Sequence, residues 1–192
     1  MRESALERGT NETHIKIGLK LDKKGTSRIS TGIGFFDHML DLFAFRADIT
    51  LDIECNGDLH IDGHHTAEDV GIALGQAIAA ALGNKSGINR YGQASVPMDE
   101  SLANCVLDIS GRAFLVFDAK FPTERAGDFD TELVEEFFRA VAFNSGITLH
   151  IGIAYGKNTH HMIEAMFKAF GVALKQAAAV TGEGVQSTKG VL

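Results

Sequence analysis

The feature that most restricts how this 192-residue chain can fold is that it contains a copy of itself. Residues 38–51 align without gaps on residues 136–149, with Ala44-Phe45 over Ala142-Phe143 and Ile49-Thr50-Leu51 over Ile147-Thr148-Leu149. A little further on, His64-His65-Thr66-Ala67-Glu68 aligns on His160-His161-Met162-Ile163-Glu164. A chain repeated in this way builds one supersecondary unit twice.

Each half reads alike. A helix (35–46, then 130–145) leads to a strand (48–56, then 147–155) and a second helix (64–82, then 160–179). Ile49, Leu51 and Ile53 alternate with Thr50 and Asp52, as a half-buried strand requires. Val70, Leu74 and Ile78, then Met166, Phe170 and Leu174, follow the helical period. Gly83 and Gly182 stand where C-terminal caps belong. Further strands are expected at 13–21, 102–109 and 113–120, with Ser110-Gly111-Arg112 as a hairpin turn between the last two. The halves divide as 1–92 and 93–192, and form one compact domain overall. Either half alone buries too little surface for stability, so the two must pack together. The pattern leaves open whether sheets or helix layers meet.

Composition excludes several classes. The net charge is −7, and neither a basic footprint nor an aromatic stacking motif for nucleic acid is present. Two cysteines rule out a disulfide scaffold. The longest apolar-rich run, 71–83, is broken by Gln76 and too short to span a bilayer. The first eight residues lack the apolar core of a signal peptide, which makes the cytoplasm the expected compartment.

His-His-x-x-Glu occurs twice, each time at the start of an expected helix. Residues i and i+4 share a helix face, so His64 can grip an ion with Glu68, and His160 with Glu164. His65 and His161 point about 100° away and serve a different ion from their neighbours. Pseudo-symmetry then groups His64, Glu68 and His161 on one metal, and His160, Glu164 and His65 on another. His38 and Glu136 occupy equivalent repeat positions and are candidates for the remaining ligand of each. Imidazole and carboxylate without thiolate suit Mn2+, Fe2+, Co2+ or Zn2+, and open octahedral positions favour Mn2+. His14, His60 and His150 lack such partners in the repeat and read as structural.

A longer set of motifs resembles the imidazoleglycerol-phosphate dehydratase family of histidine biosynthesis. These are Arg8-x-Thr10-x-Glu12-Thr13, the stretch 31–40 ending in Asp37-His38-Met39-Leu40, the stretch 57–69 around His64-His65, and Pro97-Met98-Asp99-Glu100-Ser101-Leu102. Asp108-Ile109-Ser110-Gly111-Arg112, His160-His161-x-x-Glu164 with Phe167-Lys168-Ala169, and Ser187-Thr188-Lys189-Gly190 complete the set, in order from residue 8 to the C-terminus. The resemblance implies an α/β (α+β) sandwich of internally duplicated, ferredoxin-like halves, of the ribosomal protein S5 domain 2-like type. It implies dehydration of D-erythro-imidazole-glycerol phosphate to imidazole-acetol phosphate through an imidazolate stabilised by two Mn2+ per site. It further implies a homo-oligomer, a twenty-four-subunit cage with sites between subunits. Glu12 matches the family's acid/base carboxylate. Arg90, Arg112, Lys168, Ser187 and Lys189 match positions around the substrate, chiefly its phosphate, for which guanidinium forks and ammonium charges are suited. Three positions depart from the family pattern. Glu136 stands for a metal-binding His, Arg46 for a substrate-proximal His, and Gly63 for an Asp before the His pair. The competing readings are a phosphatase-like dinuclear metal hydrolase, which would release free phosphate, and a non-enzymatic metal-binding cage, which would ignore the substrate.

Overall fold

The computed structural model describes every residue except Val191. Strands β1 (Glu3–Gly9), β2 (Thr13–Lys20) and β3 (Arg28–Ser30) precede helix α1 (Gly34–Ala47), β4 (Thr50–Gly57) and α2 (His64–Leu82). The series then recurs as β5 (Tyr91–Met98), β6 (Ser101–Asp108) and β7 (Phe114–Asp118). A small insertion follows, β8 (Arg125–Ala126) and β9 (Phe129–Asp130). α3 (Leu133–Ser145), β10 (Thr148–Tyr155) and α4 (Thr159–Ala178) complete the copy. The second copy begins just ahead of the 92/93 division read from the sequence.

The two main sheets have the same topology, β1-β2-β4-β3 and β5-β6-β10-β7. In each, the first two neighbouring pairs are antiparallel and the last is parallel. Helix layers meet at the centre: α2 packs on α3 and α1 on α4, with a sheet on each outer side. The contacts obey the duplication. A Cβ on Gly75 of α2 would lie 2.7 Å from the Val141 carbonyl of α3, and one on Gly171 of α4 would lie 2.6 Å from the Phe43 carbonyl of α1. Gly75 and Gly171 are repeat mates, as are Phe43 and Val141. The shared core is aromatic, with Phe36, Phe43, Phe137, Phe138, Phe167 and Phe170 fully buried. Each such ring contributes roughly 1.5–3 kcal/mol by leaving water.

The expected hairpin at Ser110-Gly111-Arg112 does not form. β6 pairs antiparallel with β10 and β7 pairs parallel with it, so β10 lies between them. Gly111 (φ 75°) reverses the chain, but a turn signal does not say into which slot of the sheet the chain returns. Helix α3 begins at Leu133 rather than 130, because Phe129 and Asp130 pair with β8. Gly83 does cap α2, its N–H donating to the Ala79 carbonyl at 3.2 Å. Gly182 caps nothing. α4 ends at Ala178, and the Gly182 N–H instead donates to the Gly87 carbonyl at 3.2 Å.

Candidate active site

Histidines cluster at the N-terminal ends of the helices, where the loops after β4 and β10 turn inward. In α4, His160 and Glu164 stand one turn apart, with His160 Nε2 3.2 Å from a Glu164 carboxylate oxygen. α1 packs alongside and brings His38 Nε2 to 3.8 Å from the same oxygen. His38, His160 and Glu164 each offer one donor atom, all within 4.8 Å of one another, the only such trio among the described residues. Two imidazoles and a carboxylate converging on one point fit a hard-to-borderline divalent cation. His38 is one of the two candidates that the repeat alignment offers for the added ligand, and α1·α4 packing brings it beside His160 and Glu164. Burial opposes the charge on Glu164, but the Lys168 ammonium against it, with His160 beside it, outweighs that and holds the carboxyl below its ordinary range.

The repeat-related pair in α2 is more open. His64 Nε2 lies 3.7 Å from a Glu68 oxygen. Glu136 sits in the first turn of α3, the helix packed on α2, with its carboxylate 3.7 Å from Arg139 Nε.

The second histidine of each pair turns away from the first. Ring planes of His64 and His65 are 89° apart, and those of His160 and His161 are 80° apart, with centroids separated by 6.2 Å in both. His65 Nδ1 is 2.9 Å from Asp58, and its Nε2 is 3.8 Å from Glu12. His161 Nδ1 is 2.7 Å from Glu100, and its Nε2 is 3.8 Å from Asp99. These carboxylates raise both imidazoles above the usual 6.5, the hydrogen bond to Asp58 being the main cause for His65 and that to Glu100 for His161. Glu100 in turn is held far below the usual carboxylate range by His161 and the Asn158 N–H. Both His-His-x-x-Glu motifs therefore splay as helical geometry demands. Within one chain, however, His65 does not reach His160 and Glu164, and His161 does not reach His64 and Glu68.

Glu12 is placed by its own signature. Arg8 NH1 lies 2.8 Å from Asp69 in α2, and the Thr13 hydroxyl donates to the same buried carboxylate. These contacts pin the β1–β2 turn over the start of α2 and set Glu12 beside His65.

Of the residues matched to phosphate, Lys168 lies against Glu164, and the others lie elsewhere in the chain. Arg90 forks onto Asp108, Nε to Oδ1 at 2.6 Å and NH2 to Oδ2 at 2.9 Å, and its NH1 donates to the Gln186 carbonyl at 2.8 Å. Arg112 NH2 is 3.6 Å from Asp108. The Ser187 hydroxyl accepts from the Lys189 N–H at 3.2 Å. Asp108 ends β6, whereas Glu100 and His161 lie at its beginning, about 23 Å away at the rise of a strand. Arg46 lies in the last turn of α1 against Phe45, about 12 Å along the helix from His38.

Asp58 and Glu100 were not singled out from the sequence. Each lies within a quoted motif, yet nothing in spacing shows that a loop carboxylate meets an imidazole from another element.

Duplicated sheets around a helical layer, with splayed His-His-x-x-Glu motifs at the helix starts, define an α/β enzyme scaffold built for imidazole–carboxylate chemistry. Comparison with known proteins makes this specific. The family model for imidazoleglycerol-phosphate dehydratase matches residues 31–174. The imidazoleglycerol-phosphate dehydratases of Listeria monocytogenes serotype 4b and Acetivibrio thermocellus are 58% and 59% identical to this chain. The first alignment covers all of both chains, and the second all of this chain and 99% of the other. The crystal structure of the Staphylococcus aureus dehydratase superposes with a TM-score of 0.84 at 46% identity, covering 94% of this chain and 99% of that one. That of Pyrococcus furiosus, in complex with (S)-C348, gives 0.85 at 36%, covering 97% and 100%. The chain belongs to the imidazoleglycerol-phosphate dehydratase family, hydro-lyases of histidine biosynthesis. Among the described residues no helix is long and apolar enough to cross a membrane.

Proposed function

We propose that this chain dehydrates D-erythro-imidazole-glycerol phosphate to imidazole-acetol phosphate in the cytoplasm, using two Mn2+ per site in a cage of twenty-four copies whose sites lie between subunits. The observation that carries the metal reading is the convergence of His38, His160 and Glu164 within 4.8 Å, a donor set that fits Mn2+. His64 and Glu68, with Glu136 as their added ligand, would make up the pseudo-symmetric set. His161 and His65 complete the two sets from neighbouring copies, since neither reaches the other half's ligands in its own chain. The separation of the Arg90–Arg112–Asp108 group from Glu100 and His161 along β6 supports the same sharing, while Lys168 stands beside Glu164 in its own chain. Arg46 joins the substrate's surroundings on the same terms.

Mn2+ held by these residues would supply Lewis acidity toward the substrate's imidazole. The protein's own groups do the rest. The carbon next to the ring loses hydroxide, and the following carbon loses a proton with no carbonyl to acidify it. The electrons of that C–H bond become the new C=C bond, those of the C–O bond leave with oxygen, and the proton and hydroxide balance as water. The enol then becomes the ketone. Glu12, exposed beside His65, is the carboxylate that takes up the proton. Arg90, Arg112, Lys168, Ser187 and Lys189 hold the phosphate dianion and so fix the reacting carbons relative to Glu12.

Assaying ketone and inorganic phosphate together tests this reading. Ketone forms and no phosphate is released; phosphate release would favour a hydrolase. Glu12→Gln lowers kcat by about 10²–10⁴-fold, the usual contribution of a positioned acid or base.

A further inference from the structure

The duplicated β-hairpins carry a carboxylate at the same place and use it differently. β2 and β6 each follow a tight turn: the Thr10 N–H donates to the Thr13 carbonyl at 2.8 Å, leaving Asn11-Glu12 at the tip, and Met98 pairs with Ser101, leaving Asp99-Glu100. Gly9 pairs with His14 as Pro97 pairs with Leu102, which makes Glu12 and Glu100 repeat mates. The loop crossing each turn is matched as well. A Cβ on Gly57 would meet Thr66 and Thr13, and one on Gly156 would meet their repeat mates Met162 and Ser101, so the residues that follow these glycines are equivalent. Asp58 and Lys157 are therefore counterparts, and only Asp58 can accept from an imidazole.

The difference between these two loop residues decides what the hairpin carboxylates do. In the second half, Glu100 lies 2.7 Å from His161 Nδ1 and is itself fixed by the Asn158 N–H at 2.7 Å and the Ser101 hydroxyl at 3.0 Å. In the first half, Asp58 lies 2.9 Å from His65 Nδ1. The Glu12 carboxylate makes no hydrogen bond among the described residues and stays 3.8 Å from His65 Nε2. An imidazole that donates Nδ1–H to a carboxylate has its tautomer and ring plane set, with the Nε2 lone pair directed outward to a cation.

We propose that Glu100 and Asp58 are positioning residues that present His161 and His65 as Nε2 ligands. Transfer of this task to Asp58 in the first half leaves Glu12 free for the proton. The proposal rests on the metal-dependent dehydratase reading above.

The test measures Mn2+ affinity of chelator-stripped, assembled protein, with thermal unfolding of the metal-free forms as the control for folding. Glu100→Ala and Asp58→Ala each weaken Mn2+ binding by about 10–100-fold, the usual effect of removing a carboxylate behind a metal-binding His. Glu12→Ala, the repeat mate of Glu100, leaves Mn2+ affinity at the wild-type value while turnover is lost. In a His161→Ala background, Glu100→Ala has no further effect, because it acts through that imidazole. Unchanged affinity in Glu100→Ala, equal losses in Glu12→Ala and Glu100→Ala, or additive losses of Glu100→Ala and His161→Ala would each overturn the proposal. Wild-type protein that binds no Mn2+ would instead remove the metal reading on which it rests.

Discussion

Asp128 caps a helix from far away in the chain. Ile33, at the start of α1, has no side chain to satisfy the first helical N–H groups, and the Asp128 carboxylate accepts from Gly34 N–H at 2.8 Å and Phe35 N–H at 2.9 Å. The β8–β9 insertion of the second half thus finishes the helix that carries His38. Removing a cap costs about 1 kcal/mol, so Asp128→Ala lowers the unfolding midpoint by about 2–4 °C in a calorimetric scan. Burial opposes the charge, but the Phe35 and Gly34 N–H groups hold the carboxyl below its ordinary 3.8. The sign follows: the cap is complete above that value and is lost as acid protonates the carboxylate through its lower folded value. Wild type and Asp128→Ala should therefore converge in stability at the acid end. The metal-type residues were legible at this scale because each is a rare side chain in a repeated motif. Asp128, Asp58 and Glu100 were not, because a carboxylate in a loop carries no period and its partner lies on a distant element.

At the scale of elements, α1–α4, β4 and β10 were readable because they are half buried and their apolar periods are unbroken. β1 was missed: it is a sheet edge in which Ser4, Leu6 and Arg8 form the half-buried face, so it shows little apolar alternation. β5 hid behind Gly92 and Pro97, and β3 has only three residues. The meeting of helix layers was also hidden, because its signal is the absence of a side chain. At Gly75 and Gly171 a Cβ would strike a carbonyl of the opposing helix, which cannot move away cheaply. Gly75→Ala and Gly171→Ala are each expected to destabilise by about 1–3 kcal/mol through overpacking, against the gain alanine gives an exposed helix. Chemical denaturation of both variants checks this, and similar losses at the two positions are expected from their matched surroundings.

For the whole molecule, the duplication explains the fold, with two like sheets around paired helices. α1 and α4 deliver three converging donors, but His65, His161 and the Arg90–Asp108 cluster face other directions. The proposed sharing of a site between copies has a direct consequence. Co-assembled His65→Ala and Glu164→Ala chains, each inactive alone, should regain measurable turnover, because one chain still supplies His38, His160 and Glu164 while another supplies His65. Mixed assemblies as inactive as the separate variants would place each site within one chain.

Metal-dependent dehydration at these imidazole–carboxylate clusters is the reading proposed for this chain. The most direct measurement is turnover of imidazole-glycerol phosphate by chelator-stripped protein before and after Mn2+ is restored, followed by the ultraviolet absorbance of the enol form of the product. No product is expected without metal, and ketone is expected once two Mn2+ per chain are bound. Full turnover by metal-free protein, or none with both ions in place, would contradict that reading.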